Sequence, residues 1–364
     1  LAKAGYATGM VGKFHVGPSL SDAEFRRKYG LHEIEKNVPF TPALNRKKFE
    51  NEKGYRKAVK DFGFTWAKNI YWDNIKAPFQ SHNPEWTAAA AVEFIEHHRQ
   101  GPFYLHYCTT LLHGPSGSWH KSLDKPRVTG EGIIDTDLNV LPPRDSVMKR
   151  IEQAGLTSNQ AGYLWMDDSL GLILNKLDEL KLADNTLVIY TSDNGPWNQD
   201  KYTKRKKGHP AGAIFWGEAG PLRNGKGSPY EAGYRLPCIV RWPGKVPAGR
   251  VNDAVFATID FMPTFANLCG FALPKQRHID GIDQTDLLLG KRETGREFFY
   301  FNKAGVRKGK WKYLRANAHF HGYAVDDQRP KAEELYDLES DLGERNNLAQ
   351  KHPLLLAELR ALTD

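Results

Sequence analysis

Over residues 1–285, compact apolar runs alternate with stretches in which apolar positions recur every three or four residues. Thr8-Gly-Met-Val-Gly-Lys13 predicts a short strand, following a helix end at Leu1–Gly5. Residues 14–83 are charged and weakly periodic despite Trp66, Tyr71 and Trp72, and predict loops and short helices. Asn83-Pro-Glu-Trp-Thr87 opens a helix, with Pro84 in its first turn and Ala91, Phe94 and Ile95 on one face. The helix feeds Pro102–Cys108, an apolar run behind a Gly-Pro step that reads as a buried strand. Residues 114–157, rich in Gly, Pro and charge, predict an elaborated surface loop. Tyr163, Met166, Leu170, Ile173, Leu174 and Leu177 then mark an amphipathic helix. Thr186–Thr191 and Arg235–Arg241 read as strands, and Ile259–Cys269 as a helix closed by Gly270.

Continuous apolar strands between helices imply a mostly parallel central sheet sandwiched by helices, an α/β fold. After about residue 285 the texture changes. Glu297–Phe301, Trp311–Arg315 and Glu334–Asp337 are short aromatic strands, and Pro353–Leu362 is a final helix. They predict a small C-terminal antiparallel sheet with a helix packed on it. The division expected is an α/β domain over 1–288 and an α+β subdomain over 289–364.

Bulk composition adds limits rather than an identity. The chain is 40% hydrophobic and 26% charged, with no apolar run near the ~20 residues that span a bilayer. It opens Leu1-Ala-Lys-Ala-Gly5 without an initiator Met, and reads as a fragment or processed product lacking any targeting segment. A formal charge of +8 favours anionic partners. The run Lys201–His209 is the densest basic stretch; a solvated loop on the rim of an anionic-substrate site suits it better than a nucleic-acid patch. Cys108, Cys238 and Cys269 are far apart, so neither a thiolate zinc site nor a disulfide framework is expected.

In an open α/β sheet, ligands bind beyond the carboxyl ends of the strands. The first strand ends in Lys13 and His15, the second runs into His113, and the third ends in Asp193-Asn194. Lys226 lies in a glycine-rich loop just ahead of the fourth. Each has an ordinary reading: Asp193-Asn194 followed by Gly195 makes a turn, and lysines usually sit in solvent. Together they suit attack on a tetrahedral oxyanion ester. Lysines neutralise non-bridging oxygens, a histidine protonates a leaving alkoxide, and Asp with Asn offers hard oxygens to Ca²⁺ or Mg²⁺.

The stretches "GYATGMVGKFHVG", "LLHGP", "TLVIYTSDNGP", "PLRNGKGSPYEAGYRLP" and "ELYDLESDLGERNNLA" resemble, in order, landmarks of the type I, formylglycine-dependent sulfatases of the alkaline-phosphatase-like superfamily. The resemblance implies that Asp193 and Asn194 ligate Ca²⁺, with Mg²⁺ as the alternative, and that Lys13 and Lys226 grip sulfate oxygens. His15 would bond the hydrated formylglycine, His113 would serve as general acid, and Glu231 and Arg235 would support the Lys226 loop. The family's paired-Asp motif and its Cys/Ser-x-Pro/Ala-x-Arg signature are absent from this sequence, and are expected upstream of Leu1. The implied partner is a sulfated saccharide, not nucleic acid, and the implied location periplasmic or secreted. A phosphoester or phosphonate hydrolase of the same superfamily and a non-catalytic glycan-binding pseudo-enzyme are the competing readings.

Overall fold

The strand β1 (Ala7–Phe14) is buried over nearly its whole length, as its Gly-Met-Val-Gly core demands. In the computed structural model, which describes residues 1–35, 38–75, 77–113, 119–157, 160–196, 219–318 and 329–363, the chain divides into two compact units, Leu1–Ala183 and Asp184–Asp364. In the first unit β1 is the middle strand of a parallel sheet, flanked by β2 (Trp66–Trp72) and β3 (Phe103–Cys108). Parallel neighbours need crossovers, which the intervening helices supply. These are α1 (Ala23–Tyr29) and α2 (Pro42–Asp61) before β2, and α3 (Pro84–His98) before β3. Met10, Phe14, Phe25, Tyr55, Val59, Ile70 and Trp72 form the core where α1 and α2 meet the sheet.

Sequence periodicity missed α2 and β2, placing loops and short helices there instead. The buried face of α2 carries Asn51, Glu52 and Gly54 among Leu44, Tyr55, Ala58 and Val59, which blurs the apolar stripe. In β2, Lys68 is drawn off to Glu93 at 2.5 Å. Asn69 adopts a positive φ of 55° and donates its amide to the Trp86 carbonyl. At Asn69 the pairing slips: Val11 faces Lys68, but Gly12 faces Ile70.

The stretch 114–157 is also more ordered than a surface loop. Its described residues form α4 (Trp119–Leu123), a small hairpin of β4 (Val128–Thr129) and β5 (Gly132–Ile133), and α5 (Arg144–Gln153). Val147 and Ile151 are buried, and Arg150 forks onto Asp168 at 2.8 and 2.6 Å. Asp168 lies on α6 (Ala161–Glu179), the predicted amphipathic helix, which packs on α3.

In the second unit β6 (Val188–Thr191) pairs antiparallel with β7 (Cys238–Arg241) as a two-stranded ribbon, so β7 adds no parallel strand. A single helical turn, α7 (Glu231–Tyr234), precedes β7; α8 (Phe261–Leu268) and α9 (Thr285–Leu288) follow. The expected C-terminal sheet is present, with order β11-β10-β9-β8. Its strands are β8 (Phe298–Tyr300), β9 (Gly305–Lys308), β10 (Trp311–Leu314) and β11 (Glu334–Asp337), all antiparallel. Val306, Tyr313 and Leu335 pack against α10 (Pro353–Ala361) through Leu359.

Candidate functional site

In the first unit the candidate residues gather at the carboxyl ends of β1 and β3. Gly12 is what lets β1 arrive there: its φ is 90°, and a Cβ would overlap the Cys108 carbonyl. Lys13 follows on the strand, half-buried opposite Tyr71. His15 lies one residue past the strand, mostly exposed, with Nε2 2.9 Å from the Asp73 carboxylate. Asp73 is itself fixed by donating its N–H to the Phe14 carbonyl (3.0 Å). A carboxylate on one ring nitrogen sets the orientation of an imidazole and leaves the other nitrogen for chemistry. His113 ends a tight turn beyond β3, with Leu112 at a φ of 69° and the His113 N–H donated to the Thr110 carbonyl (3.3 Å).

Sequence reasoning missed His82. Its side chain is buried, 1% exposed, and its Nδ1 shares a 3.0 Å hydrogen bond with the Thr110 hydroxyl. Its N–H donates to the Ser122 hydroxyl (3.0 Å). Burial first, then the nearby His113 and Lys13, hold the imidazole pKa down to about 4. His82 is therefore neutral at physiological pH, and ties Thr110, whose carbonyl carries the His113 turn. The signal available was the polar run Gln80-Ser-His-Asn83 directly before a helix N-cap, hidden because the region around it read as irregular.

In the second unit β6 ends at Thr191 and the chain bends through Asp193 and Asn194. Gly195 donates its N–H to the Gly233 carbonyl (3.3 Å), and Lys226 donates its backbone N–H to the Pro196 carbonyl (2.7 Å). A Cβ on Gly195 would overlap the Ala232 carbonyl, so the turn docks only as glycine. The fold thus brings the Asp193-Asn194 turn against the loop that carries Lys226. Asp193 is exposed, Asn194 and Lys226 half-buried. Among the described residues, neither the Asp193 carboxylate nor the Asn194 carboxamide has a protein partner. A carboxylate and a carboxamide oxygen are hard donors that suit Ca²⁺ or Mg²⁺. The described residues hold no cluster of three acidic, His or Cys ligands, so the pair fits part of a cation shell rather than all of it.

Behind Lys226 the loop is clamped to the C-terminal sheet by buried charge. Lys312 on β10, fully buried, reaches Glu231 at 3.0 Å and Glu344 at 2.8 Å, and its ammonium sits 4.1 Å from the Phe301 ring centre. Glu344 also accepts the Glu231 N–H at 2.7 Å, and Arg235 reaches the other Glu231 oxygen at 2.9 Å. Burial pushes the Glu231 carboxyl up, but Lys312 and Arg235 outweigh it and leave its pKa below the ordinary value. Glu344 goes the other way, raised chiefly by burial. Arg223 stacks on Tyr230, 3.8 Å from the ring centre, and donates to the Tyr336 hydroxyl (2.8 Å). The supporting roles expected of Glu231 and Arg235 fit this arrangement; Lys312 and Glu344 were not foreseen. The basic run Lys201–His209 lies outside the described residues.

A family model described as "Sulfatase" matches residues 1–271, and one described as "N-sulphoglucosamine sulphohydrolase, C-terminal" matches 225–359. An N-acetylgalactosamine-6-O-sulfatase of Bacteroides thetaiotaomicron is 33% identical over 285 residues, 75% of this chain and 49% of that protein. An arylsulfatase of Hemicentrotus pulcherrimus is 29% identical, covering 93% of this chain and 53% of its own length. The chain spans about half the length of these curated relatives. A solved structure from a study of glycosaminoglycan metabolism by Bacteroides thetaiotaomicron superposes with a TM-score of 0.65 at 26% identity. It covers 99% of this chain and 79% of the other.

Proposed function

This chain belongs to the sulfatase family, and from that premise we propose that the full-length protein hydrolyses sulfate monoesters of a carbohydrate. The observation that carries the reading is the docked turn: an Asp-Asn pair, without a side-chain partner among the described residues, held against the Lys226 loop by Gly195 and Pro196. That is the donor set a cation and a sulfate group need. The carbohydrate class is supported by the 33% identical relative, whose name assigns it N-acetylgalactosamine 6-O-sulfate.

In the proposed reaction Lys13 and Lys226 hold non-bridging sulfate oxygens as point charges, neutralising the charge that builds during transfer. His113 delivers a proton to the ester oxygen as its bond to sulfur breaks, so the sugar leaves as an alcohol. His15, oriented by Asp73, holds a proton at the attacking group. Neutral His82 fixes Thr110 and with it the His113 turn. Asp193 and Asn194 would hold Ca²⁺ or Mg²⁺, which polarises the sulfate when bound. The nucleophile is proposed to be a formylglycine supplied by residues outside this sequence, since Cys108, Cys238 and Cys269 lack the family's flanking residues.

The test is sulfate release by the full-length protein from N-acetylgalactosamine 6-sulfate beside the matched 6-phosphate. Sulfate is expected to be the preferred ester, with release falling at least about 100-fold in Asp193→Ala and in Lys226→Ala, the scale for losing one transition-state contact. Preference for the phosphate, or full activity in either variant, would refute the assignment.

A further inference from the structure

The helix α2 carries seven basic side chains against three acidic ones, a net +4 in 20 residues of a chain whose total is +8. All three acids already have partners, one of them Arg56 of the same helix. Glu50 takes His32 at 2.6 Å. Buried Glu52 takes Arg56 at 2.6 Å and the Ile70 N–H at 3.1 Å. Asp61, the acid one turn beyond Lys57, takes the Tyr29 hydroxyl at 2.8 Å and Lys28 at 3.0 Å. Arg46, Lys53, Lys57 and Lys60 are exposed and have no acidic partner among the described residues.

At 100° per residue these four cations fall within an arc of about 60°, and they extend over about 21 Å of helix. Lys53, Lys57 and Lys60 stand at four- and three-residue steps, where like charges repel by a few tenths of a kcal/mol each. Glu50 and Asp61 border the row but are drawn to His32, Lys28 and Tyr29, so the stripe points to an external anion. A straight row of separated charges matches a linear polyanion and not a lone phosphate or sulfate, which takes convergent donors. The opposite face of α2 backs the candidate site: Tyr55 stacks on Trp72 (5.4 Å between ring centres), next in sequence to Asp73, the partner of His15.

We propose that the Arg46–Lys60 stripe is a docking track for a linear sulfated polysaccharide, separate from the reacting groups. The choice of polymer rests on the sulfatase reading above. The test compares the full-length protein with an Arg46→Glu/Lys53→Glu/Lys57→Glu variant, whose changes sit in solvent; unaltered circular dichroism and melting certify its fold. Binding of chondroitin 6-sulfate polymer is measured against NaCl concentration, and hydrolysis is followed on the monosaccharide N-acetylgalactosamine 6-sulfate. Polymer binding is expected to weaken at least tenfold, with the log–log salt slope shallower by about 2, at about 0.7 per lost contact. Monosaccharide kcat and KM stay unchanged. Equal polymer binding by the variant overturns the proposal, as does tighter stripe-dependent binding of a 20-base-pair DNA duplex. If the protein cleaves no sulfate ester yet loses polymer binding in the variant, the sulfatase reading falls and the docking track stands.

Discussion

In the first unit the buried titratable group at the candidate residues is His82, kept neutral and held by two hydroxyls. In the second, the corresponding buried group is Lys312, ion-paired to two glutamates behind the Lys226 loop. Both devices fix a short irregular segment that carries a candidate side chain. They fail differently, however. A neutral imidazole in a dry site is vulnerable to a proton, because the charged form has no solvation there. A buried ion cluster is vulnerable to losing one member, because the others are then left uncompensated.

The largest expected effect is on the ion cluster. Lys312→Met takes away the cation that Glu231 and Glu344 share, leaving Glu231 to Arg235 and Glu344 with a buried charge, and is expected to cost about 3–5 kcal/mol. Denaturant unfolding measures the loss, and hydrogen exchange locates it in residues 223–235 and the C-terminal sheet. Adding Glu231→Gln and Glu344→Gln should recover part of it; a loss under about 1 kcal/mol in Lys312→Met would mean that the cluster does not hold the loop.

Acid should separate the units next. The folded pKa of His82, about 4, lies below its unfolded value near 6.5, so the unfolded state binds the extra proton. Its contribution is complete above about pH 6.5 and is lost as pH falls toward 4, about 3 kcal/mol in all. Glu231, whose pKa is depressed, loses its contribution only as pH falls below the ordinary carboxylate range. Glu344, raised by burial, shifts stability the opposite way and offsets part of that. Exchange protection followed from pH 7 to 4 should fail first around residues 82 and 110–113, and His82→Gln should remove that early step. Simultaneous loosening of both units would erase the contrast.

The smallest effect is Thr110→Val, which removes one hydrogen bond to His82 and should cost about 1 kcal/mol by denaturant unfolding. A loss above about 3 kcal/mol would mean that the hydroxyl carries more than this one bond.

What the sequence made legible follows from the same physics. β1, β3 and β6 were readable because their residues run continuously apolar, though only β1 is buried and β3, expected to be buried, is half-exposed like β6; α6 was readable because its buried side repeats every three or four. Lys13, His15 and His113 were singled out by their places at strand ends, and Asp193-Asn194 by the abrupt end of an apolar run. Lys312 was illegible: alternation in Trp-Lys-Tyr-Leu argues for an outward lysine, and only Glu231 and Glu344, 81 residues before it and 32 after it, make burial tolerable. β9 was too short, and Gly305-Val-Arg-Lys308 too polar, to separate from a turn. His82 had no spacing to give it away, since its partners Thr110 and Ser122 are brought by later elements.

The slip at Asn69 has a consequence for how this sheet tolerates changes in length. Because Val11 faces Lys68 while Gly12 faces Ile70, Asn69 serves as a one-residue spacer between two stretches of β2 that are each in register. Downstream of it Phe14 meets Trp72, and His15 therefore meets Asp73. Substituting Asn69 alters one side chain. Deleting it lets the Gly12–Ile70 pair follow directly on Val11–Lys68 and leaves the later pairs in place, whereas deleting a residue between Ile70 and Trp72 swaps faces and draws Asp73 away from His15. In a region whose sequence looks like a permissive linker, chain length is thus constrained after Asn69 rather than at it.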